Sequence, residues 1–361
     1  MGLHDRATRV AVVGYGYWGS KHVRVLSGLS DVDVVVVDNR PERLIEARRN
    51  FPAAHFAADL DHVLHDVDAV VVATPPGSHC GLAMKAISAG RHALVEKPLT
   101  TSVADAEALV RAAELNDVQL MVGNTFEYNP AVWKLKEIVD SGELGRVLYI
   151  DTARLSLGLY QNDVNVIWDL APHDLSIVSY LLGEMPDTVS VWGQRHVGDR
   201  HVDVAYLRLE FPKAATHAFV HVSWLDPCKV RRVTVVGEKK MAVYNDMSDN
   251  ERIRVYDIGV DAPDVSDLSA VHAMPVTYRS GDIVAPFVPF REPLMVQDAH
   301  FVDQVRANMP TNTTGRRGAD IVRVLAASDL SLRSGDGVRV RIDDLSTVDG
   351  ASEPLDRRVA V

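Results

Sequence analysis

Over the first 125 residues, short apolar runs alternate with amphipathic stretches. Residues 10–13, 34–37, 69–73, 92–95 and 119–122 are dominated by valine, alanine, leucine and methionine. Each run is too short for a helix and reads as a strand buried on both faces. A shorter run at 55–57 supplies a further strand. The stretches 42–49, 80–89 and 103–115 have helical spacing, with a brief turn of helix at 59–65. Pro41 suits a first helical turn, and Ser102 with Asp105 forms an N-terminal cap pair. Strands and helices alternating at this rhythm predict a doubly wound parallel sheet.

The pattern changes after residue 125. A helix over 128–140 is followed by long alternating or β-branched runs at 146–157, 187–195, 202–211, 216–224, 230–236, 240–245 and 251–258. Their short, helix-poor connections predict an α+β region with a mostly antiparallel open sheet and one helical insertion near 171–182. Residues 259–293 are rich in proline and turn formers and read as a surface wrap. Helices return at 297–306 and 319–332, and 338–342 adds a strand. The expected domains are therefore 1–125, 126–345 and a weakly ordered tail at 346–361.

The first strand runs into Gly14-x-Gly16-x-x-Gly19. Three glycines at this spacing say little alone in a chain with 23 of them. Here a strand precedes them and a helix follows, which is the context a dinucleotide site requires. Gly14 allows the tight turn, Gly16 lets backbone approach a pyrophosphate, and Gly19 lets helix and sheet pack closely. The second strand ends in Asp38, placed to accept hydrogen bonds from ribose hydroxyls and to repel a 2′-phosphate. That favours NAD over NADP, although Arg40 nearby softens the preference. Ligands of such sheets lie outside the carboxyl ends of the strands, where the Gly14, Asp38, Thr74, Lys97 and Asn124 segments arrive. Tyr17, Trp18, Pro75 and Glu96 belong to the same segments. His79 either lines the nicotinamide side or starts the next helix.

Composition narrows the field. The chain has 361 residues, 47% of them hydrophobic, which suits two domains. A formal charge of −11 argues against general nucleic-acid binding. Two cysteines, Cys80 and Cys228, make neither a disulfide framework nor a metal cluster. With no signal-like or membrane-length apolar segment, the expectation is a cytoplasmic protein.

The insertion carries Asp169 and His173, four residues apart. One helix would put both on one face, but Pro172 suggests that the helix starts there with Asp169 just before it. A carboxylate beside an imidazole sets its tautomer and raises its pKa, which suits acid/base work. A structural ion pair is the competing reading. No third ligand accompanies them, so no metal is expected.

Gly14-x-Gly16-x-x-Gly19, Ala73-Thr74-Pro75-Pro76-x-x-His79, Glu96-Lys97-Pro98 and Asp169-x-x-x-His173 together resemble the Gfo/Idh/MocA oxidoreductases. The resemblance covers nearly the whole chain. It implies an N-terminal Rossmann domain, NAD as cofactor and a homodimer or homotetramer. It puts Lys97 on the reacting hydroxyl and the nicotinamide region, His173 in the acid/base role and Asp169 in support of it. Cofactor contacts fall on Gly14, Gly16, Tyr17, Trp18, Gly19, Asp38, Thr74, Pro75, His79, Glu96, Lys97 and Asn124. One departure is Ala171-Pro172, where many relatives carry a glycine and a non-proline residue. Residues 125–130, 164–174 and 223–229 look most like members acting on nucleotide-linked hexoses, often at C3. Lys229, Arg231 and Arg154 could then meet the diphosphate. A free polyol, inositol or free-sugar dehydrogenase is the alternative. From another class, an NAD-sensing regulatory module without turnover would need none of Lys97, Asp169 and His173.

Overall fold

A computed structural model describes residues 6–158, 160, 163–198, 200–261 and 277–347, which divide into two compact units. The first holds 1–129 together with 291–326; the second holds 130–290 and the chain from 327. In the first, strands β1 (Thr8–Val13), β2 (Val32–Val37), β3 (His55–Ala57), β4 (Ala69–Val72), β5 (His92–Val95) and β6 (Leu120–Val122) form one sheet. Its order is β3-β2-β1-β4-β5-β6, and every pair in it is parallel. Helices α1 (Tyr17–Leu26), α2 (Pro41–Asn50), α3 (His79–Ser88) and α4 (Val103–Leu115) make the crossovers. The order reverses between β1 and β4, and a doubly wound sheet opens its ligand crevice at that point. Ser102 caps α4 by accepting a hydrogen bond from Asp105 N.

The expected boundary at 125/126, with 126–345 as one block, does not hold. Helix α7 (Pro293–Ala307) returns to the first unit, where Phe301, Val302 and Val305 join a core containing Val10, Val12, Val23 and Leu26. The next segment zips onto the edge of the sheet: Val122 N–H donates to Thr313 O, and the Thr313 hydroxyl to Val122 O. A parallel sheet needs both faces and its edges covered. Any amphipathic helix of the chain can do that, however late it is made, so order along the sequence did not reveal it.

The second unit contains α5 (Pro130–Asp140), then β7 (Val147–Leu157), α6 (Val166–Leu182), β8 (Thr188–Gln194), β9 (Val204–Phe211), β10 (Thr216–Ser223), β11 (Leu225–Gly237), β12 (Met241–Asn245) and β13 (Ile253–Tyr256). A small hairpin, β14 (Gly259–Asp261) with β15 (Thr277–Arg279), and strand β16 (Ile283–Val284) follow. Much of the expected surface wrap, 262–276, lies outside the described residues. Helix α8 (Gly315–Ser334) begins in the first unit and ends in the second, before β17 (Val340–Arg341). The sheet order is β16-β13-β12-β11-β7-β10-β9-β8-β17, antiparallel except where β10 runs parallel to β7. Alternate residues of β10 (Ala218, Val220 and Val222) are buried, while Phe219 is exposed together with Tyr149, Trp192 and Tyr206. Residues 342–347 form a 3-10 turn, and 348–361, most of the expected tail, lie outside the described residues. No helix among the described residues is long and apolar enough to cross a membrane.

Helix α6 corrects one local expectation. It runs unbroken through Pro172, with Asn165 as its N-cap accepting from Ile167 N and Trp168 N. Asp169 therefore lies within the first turn rather than before it. Proline costs an interior helix about 3 kcal/mol by removing one N–H. Burial of Ile167, Leu175, Ile177, Val178 and Leu181 outweighs that, at about 1.5–3 kcal/mol for each such side chain.

Candidate active site

The phosphate loop follows from packing. Gly14 leaves β1 at φ +91°, and a Cβ there would lie 2.8 Å from Ala73 O. At Gly19 a Cβ would lie 1.7 Å from Gly14 O, so only glycine lets α1 start against the turn. Gly16 differs. It is the N-cap of α1 in extended backbone, and nothing stands within 4 Å of a Cβ built on it. Gly14 and Gly19 thus serve the fold, while the open space at Gly16 suits a ligand's phosphates at a helix N-terminus. Tyr17 and Trp18 are exposed, their rings edge to face with centroids 5.5 Å apart. Lys21 Nζ lies 4.5 Å from the Tyr17 ring centre.

Asp38 ends β2 with a buried side chain. Its Oδ2 accepts from Tyr15 N at 2.7 Å and from Arg40 Nη2 at 2.9 Å. Its Oδ1 accepts from Arg40 N and Arg40 Nε, both at 2.9 Å. Burial works to raise the Asp38 pKa, but the Arg40 and Tyr15 bonds outweigh it and hold the carboxyl below its ordinary range.

The loop after β4 is tied down internally. Ser78 Oγ lies 2.8 Å from Pro75 O, to which it donates, and 2.7 Å from the Thr74 hydroxyl. His79 does start α3, and its ring is buried. Nε2 is 2.8 Å from Thr74 O and Nδ1 is 2.9 Å from Pro98 O, so the ring joins the loops after β4 and β5. Burial holds its pKa below the ordinary value, although only the doubly protonated ring can donate to both carbonyls. His79 therefore shapes the site's backbone from within.

Glu96 is likewise committed inward. Its Oε1 lies 3.0 Å from His22 Nε2, and its Oε2 accepts from Lys97 N at 3.2 Å. Lys97 is half-buried at the end of β5, before a cis peptide to Pro98. Asn124 is buried beyond β6, and its Nδ2 has no acceptor among the described residues. Among those residues no cluster of His, Cys, Asp or Glu is arranged to hold a metal.

In the second unit Asp169 and His173 are one turn apart on α6, both partly exposed. Asp169 Oδ2 accepts from the indole N–H of buried Trp224 at 3.0 Å. The helix start is pinned to α8, because Asp329 accepts from Trp168 Nε1 at 2.8 Å and from Asn165 Nδ2 at 3.0 Å. Arg154, considered for a substrate diphosphate, is buried and bidentate to Asp174 (Nε–Oδ2 2.7 Å, Nη2–Oδ1 3.3 Å). Arg231 pairs with Asp246, and Lys229 is exposed. Sequence reasoning missed His22, Asp298 and Trp224. Trp224 lay within the 223–229 stretch without a role of its own, and His22 stands three residues after Gly19 on the helix face that Gly19 buries.

An open glycine turn, a carboxylate at the end of β2 and a lysine just beyond β5 make up the frame of a dinucleotide-binding domain. The chain belongs to the Gfo/Idh/MocA family: residues 8–124 match its oxidoreductase, NAD-binding Rossmann domain and residues 132–243 its C-terminal domain, together more than half of the chain. It is 31% identical to UDP-N-acetylglucosamine 3-dehydrogenase of Acidithiobacillus ferrooxidans over 53% of this chain and 60% of that enzyme. The chain spans about 60% of the length of that relative and of two further curated relatives. It is 24% identical to the NADP(+) scyllo-inositol 2-dehydrogenase IolW of Bacillus subtilis over 89% and 92% of the two chains. GenD2 from gentamicin A biosynthesis, solved with NAD, superposes with a TM-score of 0.77 at 26% identity, over 94% of this chain and 98% of that one.

Proposed function

We propose that this protein is an NAD-dependent dehydrogenase or ketoreductase acting at a ring carbon, C3 foremost, of a nucleotide-linked hexose. The observation that carries the reading is the pairing of an open Gly16 turn and a bonded Asp38 carboxylate with Lys97 at the end of β5. The 31% identity to a UDP-N-acetylglucosamine 3-dehydrogenase supports the substrate class.

Gly14, Gly16 and Gly19, with the first turn of α1, would hold the pyrophosphate, flanked by Tyr17 and Trp18, and Asp38 the adenosine ribose. The Thr74-Pro75 turn and Asn124 would meet the nicotinamide half. Bound NAD supplies a hydride acceptor at the substrate carbon. Lys97 donates a hydrogen bond to the substrate oxygen and stabilises the negative charge that develops there. His173 takes the hydroxyl proton, or returns it in the reductive direction. Asp169, itself oriented by Trp224, supports the histidine's protonated form.

A panel of UDP- and dTDP-hexoses, inositols and free sugars, followed by NADH absorbance, tests this reading. Turnover confined to nucleotide sugars, and lowered by at least a hundredfold in Lys97→Ala and in His173→Ala with NAD binding intact, is the expected result. Near-normal turnover in both variants would sink it. A free inositol or polyol is the second reading. It is favoured by the commitment of Arg154 to Asp174, which removes one cation from a diphosphate site. Binding of NAD with no turnover on any substrate would instead mark a sensing module. We further propose that the exposed aromatic face of Tyr149, Trp192, Tyr206 and Phe219 joins copies of the chain, with mass in solution as the test.

A further inference from the structure

His22 lies inside the first unit with no exposed surface, between two carboxylates from distant parts of the chain. Its Nδ1 is 3.0 and 2.9 Å from the two oxygens of Asp298 on α7. Its Nε2 is 3.0 Å from Glu96 Oε1. While ionised, carboxylates only accept, so with both groups charged the two contacts are hydrogen bonds when both ring nitrogens carry protons. Burial raises the Asp298 pKa, and the charge and hydrogen bond of the ring pull against it. Burial by itself lowers a histidine pKa. Here the charges and hydrogen bonds of Asp298 and Glu96 outweigh it and push the value up to about 10. These two carboxylates are the charged groups acting on the ring.

The contacts continue on both sides. Asp298 Oδ1 lies 3.4 Å from Gln297 Nε2, and Gln297 Oε1 accepts from Thr125 Oγ1 at 2.9 Å. On the other side Glu96 Oε2 accepts the backbone N–H of Lys97. Gly123 makes room for Glu96, since a Cβ there would lie 3.1–3.2 Å from its carboxylate atoms. One polar chain thus joins the loop after β6, helix α7, the cofactor helix α1 and the strand end that bears Lys97.

We propose that His22, donating from one ring nitrogen to Asp298 and from the other to Glu96, is a positioning residue that fixes the backbone presenting Lys97. The inference rests on the reading of Lys97 as the residue that meets the substrate oxygen. Without the imidazolium, Glu96 is a buried carboxylate that has lost the cation bonded to its Oε1, one residue from a lysine. It then takes up a proton or draws the Lys97 ammonium toward itself. Either response moves Lys97 from its working place while leaving the glycine turn and Asp38 as they are.

The test uses the full chain labelled with ¹⁵N-lysine, in which the Lys97 amide resonance is the one lost in Lys97→Arg. His22→Gln keeps one NH2 group, placed to reach one of the two carboxylates, and carries no charge. Asp298→Asn keeps the volume and gives the same readout should His22→Gln fail to fold. The expected result is a displaced Lys97 amide resonance in the folded variant, while lysines remote from His22 stay in place. NAD affinity, read by fluorescence quenching, stays within twofold, and kcat falls about tenfold wherever wild-type turnover is found. An unmoved Lys97 amide in a folded variant overturns the positioning role. So does a loss confined to NAD affinity, which would make His22 a support for α1 alone. Because the amide readout needs no turnover, it stands or falls separately from the loss expected in Lys97→Ala.

Discussion

The guanidinium of Arg40 lies across both carboxylate oxygens of Asp38, two residues before it, with Nε 2.9 Å from Oδ1 and Nη2 2.9 Å from Oδ2. Asp38 is the group read from sequence as selecting NAD, and its charge is here matched by a cation that is itself half exposed. A ribose diol must share or displace those bonds. Arg40→Ala should therefore strengthen discrimination against NADP, and Asp38→Ala should weaken NAD binding about ten- to a hundredfold while narrowing the gap to NADP. Titration of both cofactors by fluorescence quenching measures this. An Arg40→Ala variant that prefers NADP would contradict the geometry.

Gly16 and Gly19 make a second, paired prediction. Alanine at Gly19 meets Gly14 O at 1.7 Å, so the turn must deform and the chain lose several degrees of melting temperature. Alanine at Gly16 meets nothing within 4 Å, so the variant should melt like wild type yet bind NAD at least tenfold more weakly. Thermal unfolding and cofactor titration separate the two. Equal melting losses would mean that Gly16 also serves the fold.

The buried imidazolium gives a pH signature. Asp298 and Glu96 push the His22 pKa up to about 10, against about 6.5 for a free histidine. Between those values the folded chain keeps a proton that the unfolded chain has released. Its stabilisation is thus complete below pH 6.5 and is lost as pH rises toward 10. Chemical unfolding from pH 6.5 to 9.5 should show wild type losing stability more steeply than His22→Gln. Parallel slopes would mean that the ring carries one proton.

Arg154 and Asp174 form a buried bidentate pair in the second unit. Burial pushes the Asp174 pKa up, and Arg154 pulls against it. Removing only the cation, in Arg154→Ala, should cost about 3–5 kcal/mol in urea unfolding by leaving the carboxyl uncompensated. Arg154→Met with Asp174→Leu should recover much of that. If the single variant instead keeps its stability and loses affinity for UDP-sugars, Arg154 belongs to substrate after all.

Much of the first unit was legible because its signals are local. Residues 55–57, 92–95 and 103–115 form the elements their patterns indicate, and Ser102 makes its cap. Pro172 misled because propensity weighs one missing hydrogen bond, whereas the helix is held by a buried face spanning four turns. Glu96 and His79 were grouped with the cofactor contacts by their motifs. Their side chains turn inward, toward His22 and toward the carbonyls of Thr74 and Pro98. A motif records that residues occur together without saying which of them faces the ligand.

By itself the sequence determined the parallel sheet, the glycine turn, the acidic end of β2 and the family, all written within short spans where strand period, helix period and turn chemistry act between neighbours. Only the tertiary structure decided that α7 returns to the first core, that Arg154 serves Asp174, and that His22 is held between Glu96 and Asp298, 276 residues beyond it. Such pairings depend on which apolar faces remain open to be covered and which buried charges remain to be neutralised. Both are properties of the assembled core, and no local stretch of chain carries them.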